Sequence, residues 1–286
     1  MEQASRTPSF LLMSQHGEAA RLPMPRGTVV LSRLGGGRSA VRALAPSVKY
    51  VLQGEEVYRI DGRTRCLRPG NFLLVEPGTD FEVRTPCPEE TIGLCVYLGA
   101  SEAPAGERLA LGRAIAGSPI DPLASLLGRY ARLLADRPEA GETVARRIVR
   151  EVTVGAEDYL ATFANRLERL ASVKASTRIE TLHRVERARA YIHAHAQVPL
   201  TLEAVAAEAA LSRFHLTRSF AEVHGLPPLA YHRRLRLDEA ARQLRAGEAS
   251  ATDVARRLGY GSLSAFTRAF RHAFGVPPGR ARALLQ

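Results

Sequence analysis

The stretches LTRSFAEVHGLPP (216–228) and FTRAFRHAFGVPP (266–278) are nearly one phrase written twice. Extended leftward they become LEAVAAEAALSRFHLTRSF and ATDVARRLGYGSLSAFTRAF, with Ala206 and Ala255 49 residues apart and Arg218 and Arg268 50 apart. The second turn is therefore one residue longer. Each copy reads as a short helix, a tight turn and a longer helix. Leu216 and Phe220, like Phe266 and Phe270, fall at i, i+4 and form a buried stripe, while the small Ala206 and Ala255 let the two helices approach closely. Thr201, Ser212 and Ser262 stand where N-caps belong. Gly225 and Gly275 stand where the helices should stop, and the proline pairs behind them block continuation. This is the pattern of a helix-turn-helix, present twice.

Two copies of one element at a fixed distance suit a periodic partner, and charge says which kind. From Arg178 to the end the chain has 17 arginines against nine acids, a net +8, whereas the first 177 residues have 23 bases against 20 acids, only +3. Such a basic tail is the footprint of a phosphate-backbone binder; a solvated basic surface is the plain alternative. The second helix of the first unit presents Arg213, Phe214, Thr217 and Arg218, and that of the second presents Leu263, Ser264, Thr267 and Arg268. Arginine matches the O6/N7 acceptors of guanine and apolar groups match the thymine methyl. Phe214 and Leu263 on a merely solvated face would be hard to account for.

Between the units, AYHRRLRLDEAARQLRAG predicts a helix of about 15 residues, roughly 22 Å long. A strut of that size holds two recognition helices about one DNA turn apart, roughly 34 Å. Arg233, Arg234 and Arg236 are candidates for phosphate contact, Arg236 equally for a structural role. His215 and His232 suit phosphate contact or local packing. His193 and His195 lie two apart, on different faces of a helix, and no second pair accompanies them, so no metal is expected.

These residues carry a family resemblance. From about His183 to Arg282, through ARAYIHAH, LEAVAAEAALSRFHLTRSF, HGLPPLAYHRRLRLDEAARQL and DVARRLGYGSLSAFTRAFRHAFGVPP, the tail resembles the DNA-binding domain of the AraC/XylS family of bacterial transcription regulators. The resemblance places base contacts on Phe214, Thr217 and Arg218 and on Leu263, Ser264, Thr267 and Arg268. It departs from the family at Ala210, where glycine is usual, at Ala251, where a larger aliphatic is usual, and at Ala281, where an aromatic is common.

The N-terminal part reads differently. VKYVLQG, EEVYRIDG, RTRCLRPG and NFLLVEPG are short β-rich runs, with Asp61-Gly62, Gly70-Asn71 and Pro77-Gly78 as turn signals. They predict an antiparallel barrel or sandwich, and are similar to the cupin-like effector domains often joined to this module. No histidine lies between His16 and His183, so the metal-binding pattern of metal-dependent cupins is missing. Tyr50, Tyr58, Phe72 and Tyr97 are candidates to line an effector pocket or to fill an ordinary core. From about Asp121 the apolar period becomes helical, and LERLASV extends a stripe suited to dimer contact or to a core hairpin.

The expected fold is therefore α+β and multidomain. Residues 1–120 form a β-rich, cupin-like antiparallel barrel, 121–177 a helical linker or dimerisation region, and 178–286 an all-α domain with two helix-turn-helix units. The expected function is a sequence-specific regulator of transcription that binds double-stranded DNA. A small-molecule effector, a second copy of the chain and RNA polymerase are the expected partners. No apolar run reaches the roughly 18 residues of a membrane span, and the first residues lack a signal-peptide core, so a cytoplasmic location is expected. Neither a cofactor nor catalysis is expected. Gly35-Gly36-Gly37 lacks a nucleotide fingerprint, and no nucleophile–base set is apparent. The rival readings are a cupin-like enzyme or binding protein with a basic helical tail, and a single-strand or RNA binder, which would need aromatic platforms. Cys66, Cys87 and Cys95 are too scattered for a disulfide framework and read as small packing residues, with a redox role the alternative.

Overall fold

The computed structural model describes residues 9–16, 24–86, 88–100, 113–171 and 174–285. The chain forms two compact units, Met1–Glu168 and Arg169–Gln286, and each is described by itself. The helices that follow Asp121 belong to the first unit as far as Glu168.

The first unit is built on two facing sheets. The six-stranded sheet contains β1 (Phe10–Met13), β2 (Val29–Leu34), β4 (Ser47–Gln53), β7 (Phe72–Val75), β9 (Thr91–Tyr97) and β10 (Ala114–Gly117), in the order β1-β2-β9-β4-β7-β10. The four-stranded sheet contains β3 (Gly37–Arg42), β5 (Glu56–Ile60), β6 (Arg63–Leu67) and β8 (Asp80–Thr85), in the order β3-β8-β5-β6. The described pairings are antiparallel except for β1, which runs parallel to β2, a departure from the all-antiparallel expectation. Asp61 (φ 48°) and Gly62 (φ 73°) make the β5–β6 hairpin turn expected of an Asp-Gly pair.

Alternation sets what each face of these strands does. Val51, Tyr58, Ile60, Leu73, Val75 and Phe81 meet between the sheets. Residues of the opposite parity on β4 and β7 face α1 (Pro122–Asp136) and α2 (Gly141–Glu168). There Phe72 packs edge-on against Tyr159, ring centroids 4.9 Å apart, and the Tyr159 hydroxyl donates to the Ala116 carbonyl at 3.0 Å. Gly128 of α1 lets the Tyr50 hydroxyl approach, since a Cβ there would lie 2.7 Å from it. On LERLASV, Leu167 and Leu170 are buried by their own chain, and residues 172 and 173 lie outside the described residues.

The second unit comprises α3 (Ala175–Ala194), α4 (Leu202–Ala209), α5 (Arg213–His224), α6 (Pro228–Ala246), α7 (Ala251–Arg257), α8 (Leu263–Phe274) and a 3-10 segment, Pro278–Leu285. One core gathers Val205, Ala206, Leu216 and Phe220 under α3, whose Leu182, Val185 and Ile192 are fully buried. Another gathers Val254, Ala255, Phe266 and Phe270 against Leu237, Ala240 and Ala241 of α6. Helix α6 serves both, because its Tyr231 ring packs edge-on to Phe220 at 5.3 Å. Its 19 residues span about 28 Å, longer than the sequence suggests. The small Ala281 is buried in the second core and Ala251 packs beside it, so both departures from the family pattern are accommodated.

Candidate nucleic-acid interface

Local chemistry fixes where each second helix starts and ends. The Ser212 hydroxyl accepts from the His215 N–H at 3.2 Å and the Ser262 hydroxyl from the Ala265 N–H at 3.1 Å, so both N-caps hold as read from the sequence. Gly225 and Gly275 close the helices with φ of 77° and 76°. The turns match bond for bond. Ala210 N donates to Ala207 O and Leu211 N to Ala206 O; 49 residues on, Gly259 N donates to Arg256 O and Tyr260 N to Ala255 O. Ala210 adopts φ 51°, ψ 44°, a left-handed conformation that costs an alanine about 1–2 kcal/mol.

Every expected base-facing residue is accessible. Arg213, Phe214, Arg218, Leu263, Ser264 and Arg268 are exposed, and Thr217 and Thr267 are half-buried. Phe214 is 80% exposed and Leu263 44%, so both apolar side chains are available to a partner. The Thr217 hydroxyl donates to the Arg213 carbonyl at 2.8 Å, leaving its methyl and lone pairs outward.

The two faces differ electrostatically. Arg213 is held by Glu203 at 2.6 Å and Arg218 by Glu222 at 2.9 Å. Hydrogen bonding to its own backbone N–H, then to Arg213, holds the Glu203 carboxyl below its usual range. At the matching places the second helix-turn-helix has Thr252 and His272, and Arg268 and Arg271 have no partner among the described residues. Residues 201–225 carry two arginines against three acids, whereas 250–280 carry five against one. Exposed pairs such as Arg213–Glu203 are worth little, so a phosphate or a base can replace the acid. Arg271, which the sequence reading did not single out, lies one turn beyond Arg268 on the same face, and that i, i+3 spacing could have found it.

Helix α6 sorts its arginines. Arg233 is exposed and, among the described residues, has no partner, as suits phosphate contact. Arg234 instead ties the strut to α8: it pairs with Asp238 at 3.0 Å, donates to Ala273 O at 2.9 Å and lies over the Phe274 ring. Arg236 donates to Leu258 O at 2.8 Å and braces the second turn. His232 is buried and packs locally, while His215 is exposed at the start of α5. His193 Nε2 meets the Tyr231 hydroxyl at 2.9 Å and His195 Nδ1 the Tyr191 carbonyl at 2.9 Å, which makes both structural. Beneath the first helix-turn-helix Arg189 and Glu186 form a buried pair at 2.6 Å, with His224 3.5 Å from the same carboxylate.

The four aromatics offered as pocket lining or ordinary core divide between those two roles. Tyr58 and Tyr97 line a chamber between the sheets of the first unit. Tyr50 also borders that chamber, although its hydroxyl is turned to Gly128 of α1, and Phe72 is packed on Tyr159. Strand parity is the reason: Tyr50 and Phe72 are cross-strand partners on the helix-covered face. The chamber's own chemistry comes from Lys49, Glu56 and Cys95, which were not among the expected residues. Cys66 is exposed on β6 rather than packed, and Cys87 lies outside the described residues.

A pair of braced helix-turn-helix units with accessible second helices defines a nucleic-acid-binding class of module. Residues 205–283 match the family described as a helix-turn-helix domain. Over this part the chain is similar to AraC-like transcription regulators. It is 39% identical over 110 residues to a Streptomyces lividans protein named as an AraC-like transcription regulator, covering 38% of this chain and 33% of the relative. It is 38% identical over 88 residues to the right origin-binding protein of Escherichia coli K12, covering 31% and 30%. An uncharacterized HTH-type transcriptional regulator of Bacillus subtilis, YobQ, is 27% identical over 230 residues, covering 80% of this chain and 82% of that one. The chain thus spans about a third of the length of the first of these relatives. Among the described residues, no helix is long and apolar enough to cross a membrane.

Proposed function

We propose that the chain is a sequence-specific, double-stranded DNA-binding regulator of transcription that acts in the cytoplasm. Residues 178–286 are its DNA-binding domain, and α5 and α8 enter successive major grooves. Arg213, Phe214, Thr217, Arg218, Leu263, Ser264, Thr267 and Arg268 face the base edges. Arg233 and Arg271 grip phosphates. One observation carries this reading: two matched units share one strut and turn outward a face that joins exposed arginines to exposed apolar side chains.

Residues 1–120 are the regulatory domain, whose chamber takes a small-molecule effector, and residues 121–177 serve dimerisation. Leu133 and Val154, exposed on α1 and α2, support pairing of two chains. RNA polymerase is the partner through which a bound dimer would act. The names of the relatives support regulation rather than catalysis.

Selection of bound fragments from randomised duplex DNA tests the proposal. It should return a site with two conserved blocks about 10 base pairs apart within each half-site. Recovery of unrelated sequences, bound with equal affinity, refutes sequence-specific recognition.

A further inference from the structure

We propose that the chamber of the first unit is a binding site for a small hydroxycarboxylate, with Lys49 taking the carboxylate and Glu56 the hydroxyl. This deepens the reading of that unit as effector-responsive and rests on it for its biological meaning.

Lys49 projects from the centre of β4 between the two sheets and is 9% exposed. Its ammonium lies 2.7 Å from Cys95 Sγ and 3.5 Å from the Tyr97 hydroxyl, 4.7 Å from the centre of the Tyr97 ring and 5.8 Å from that of Phe81. No carboxylate among the described residues forms an ion pair with it. An ammonium has three donors, and Cys95 and Tyr97 take two of them, which leaves one open among the described residues. Burial pulls its pKa down, but Cys95 and Tyr97 outweigh that and leave it raised, so Lys49 stays charged at neutral pH.

Across the chamber, Glu56 Oε2 accepts from the Tyr58 hydroxyl at 2.6 Å. Its other oxygen, Oε1, has no hydrogen-bond partner among the described residues and lies over Gly93, where a Cβ would come within 2.9 Å of it and 2.8 Å of Ser32 Oγ. The bare backbone of Gly93 is what lets a carboxyl sit there. The chamber thus offers a cation at one side and an acceptor with open capacity at the other, between apolar walls that include Met24, Val30 and Phe81. A molecule bearing both a carboxylate and a hydroxyl satisfies both. The cavity of about 60 Å³ admits roughly four or five waters by the same measure, which limits the ligand to a few heavy atoms.

Titration calorimetry of the full chain with glycolate tests the site without involving DNA. Saturable binding is expected, at least about tenfold tighter than that of glycolamide, which keeps the shape and loses the charge. Lys49→Met should abolish glycolate binding while leaving the melting temperature of the ligand-free chain unchanged or higher, since an apolar replacement of a buried ion is tolerated. Glu56→Gln should weaken the preference for glycolate over acetate. No saturable binding, equal binding of glycolamide, or undiminished binding by Lys49→Met would overturn the site. Because DNA binding is measured separately, none of these results bears on the helix-turn-helix units.

Discussion

Replacing Ala210 by glycine should stabilise the second unit. Ala210 is exposed at the end of α4, and its φ of 51° is one a Cβ resists. Relief of the left-handed conformation is worth about 1–2 kcal/mol. Against this, glycine makes the unfolded chain more flexible, at a cost of about 0.4–1 kcal/mol. The midpoints of the two ranges leave a net gain of about 0.8 kcal/mol. The bonds from Ala210 N to Ala207 O, from Leu211 N to Ala206 O and from Arg184 to Ala210 O use only backbone atoms of residue 210, so the substitution leaves them in place. The reciprocal change, Gly259→Ala, should cost a similar amount. A Cβ there meets nothing within 4 Å, which leaves the φ of 72° as the whole penalty. For a unit of this size the shifts amount to about 2–6 °C in melting temperature, upward for the first variant and downward for the second. Calorimetry of the full chain, following the transition of the second unit, reads them. Shifts of both variants in the same direction would refute the equivalence of the two turns.

Three further outcomes follow from the geometry. Arg268→Ala should cost roughly 1–3 kcal/mol on the selected site and relax preference at one base pair, whereas Arg271→Ala should weaken all sequences alike and reduce the salt slope by about 1; band-shift titrations across salt concentrations distinguish them. Glu186→Ala removes one member of the buried pair that Arg189 forms at 2.6 Å and should destabilise the second unit, measured by denaturant titration. Burial, with Arg236 adding to it, holds the His232 pKa below its ordinary 6.5. The unfolded chain therefore binds the proton first, and stability falls as pH drops below about 6.5. His232→Gln should make that decline shallower in melts taken between about pH 7.5 and 5.5.

The second unit was legible because its signals are local. Serine caps, terminal glycines and the i, i+4 aromatic stripe each specify a helix within a dozen residues, and the repeat confirmed each reading once more. Strands β1 and β10 were not legible. They are four residues long, and they pair with β2 and β7, elements remote in the sequence, so nothing near them marks them as strands. The chamber's charged groups were missed for a different reason. Tyr50 and Phe72 were chosen as aromatics, although Lys49, one residue from Tyr50, is the side chain that alternation sends inward. Parity along VKYVLQG carried that information. The pairing of Arg213 with Glu203 crosses a turn and was hidden, whereas that of Arg218 with Glu222 follows from i, i+4 spacing.

The central claim is geometric: one strut places two reading heads on one side of the duplex. Methylation interference at guanine N7, in the major groove, measures this directly on the selected site. Two patches about one helical turn apart on the same face are predicted for each bound domain, the patch under α8 being more salt-sensitive. A single patch, or two on opposite faces of the duplex, contradicts the account.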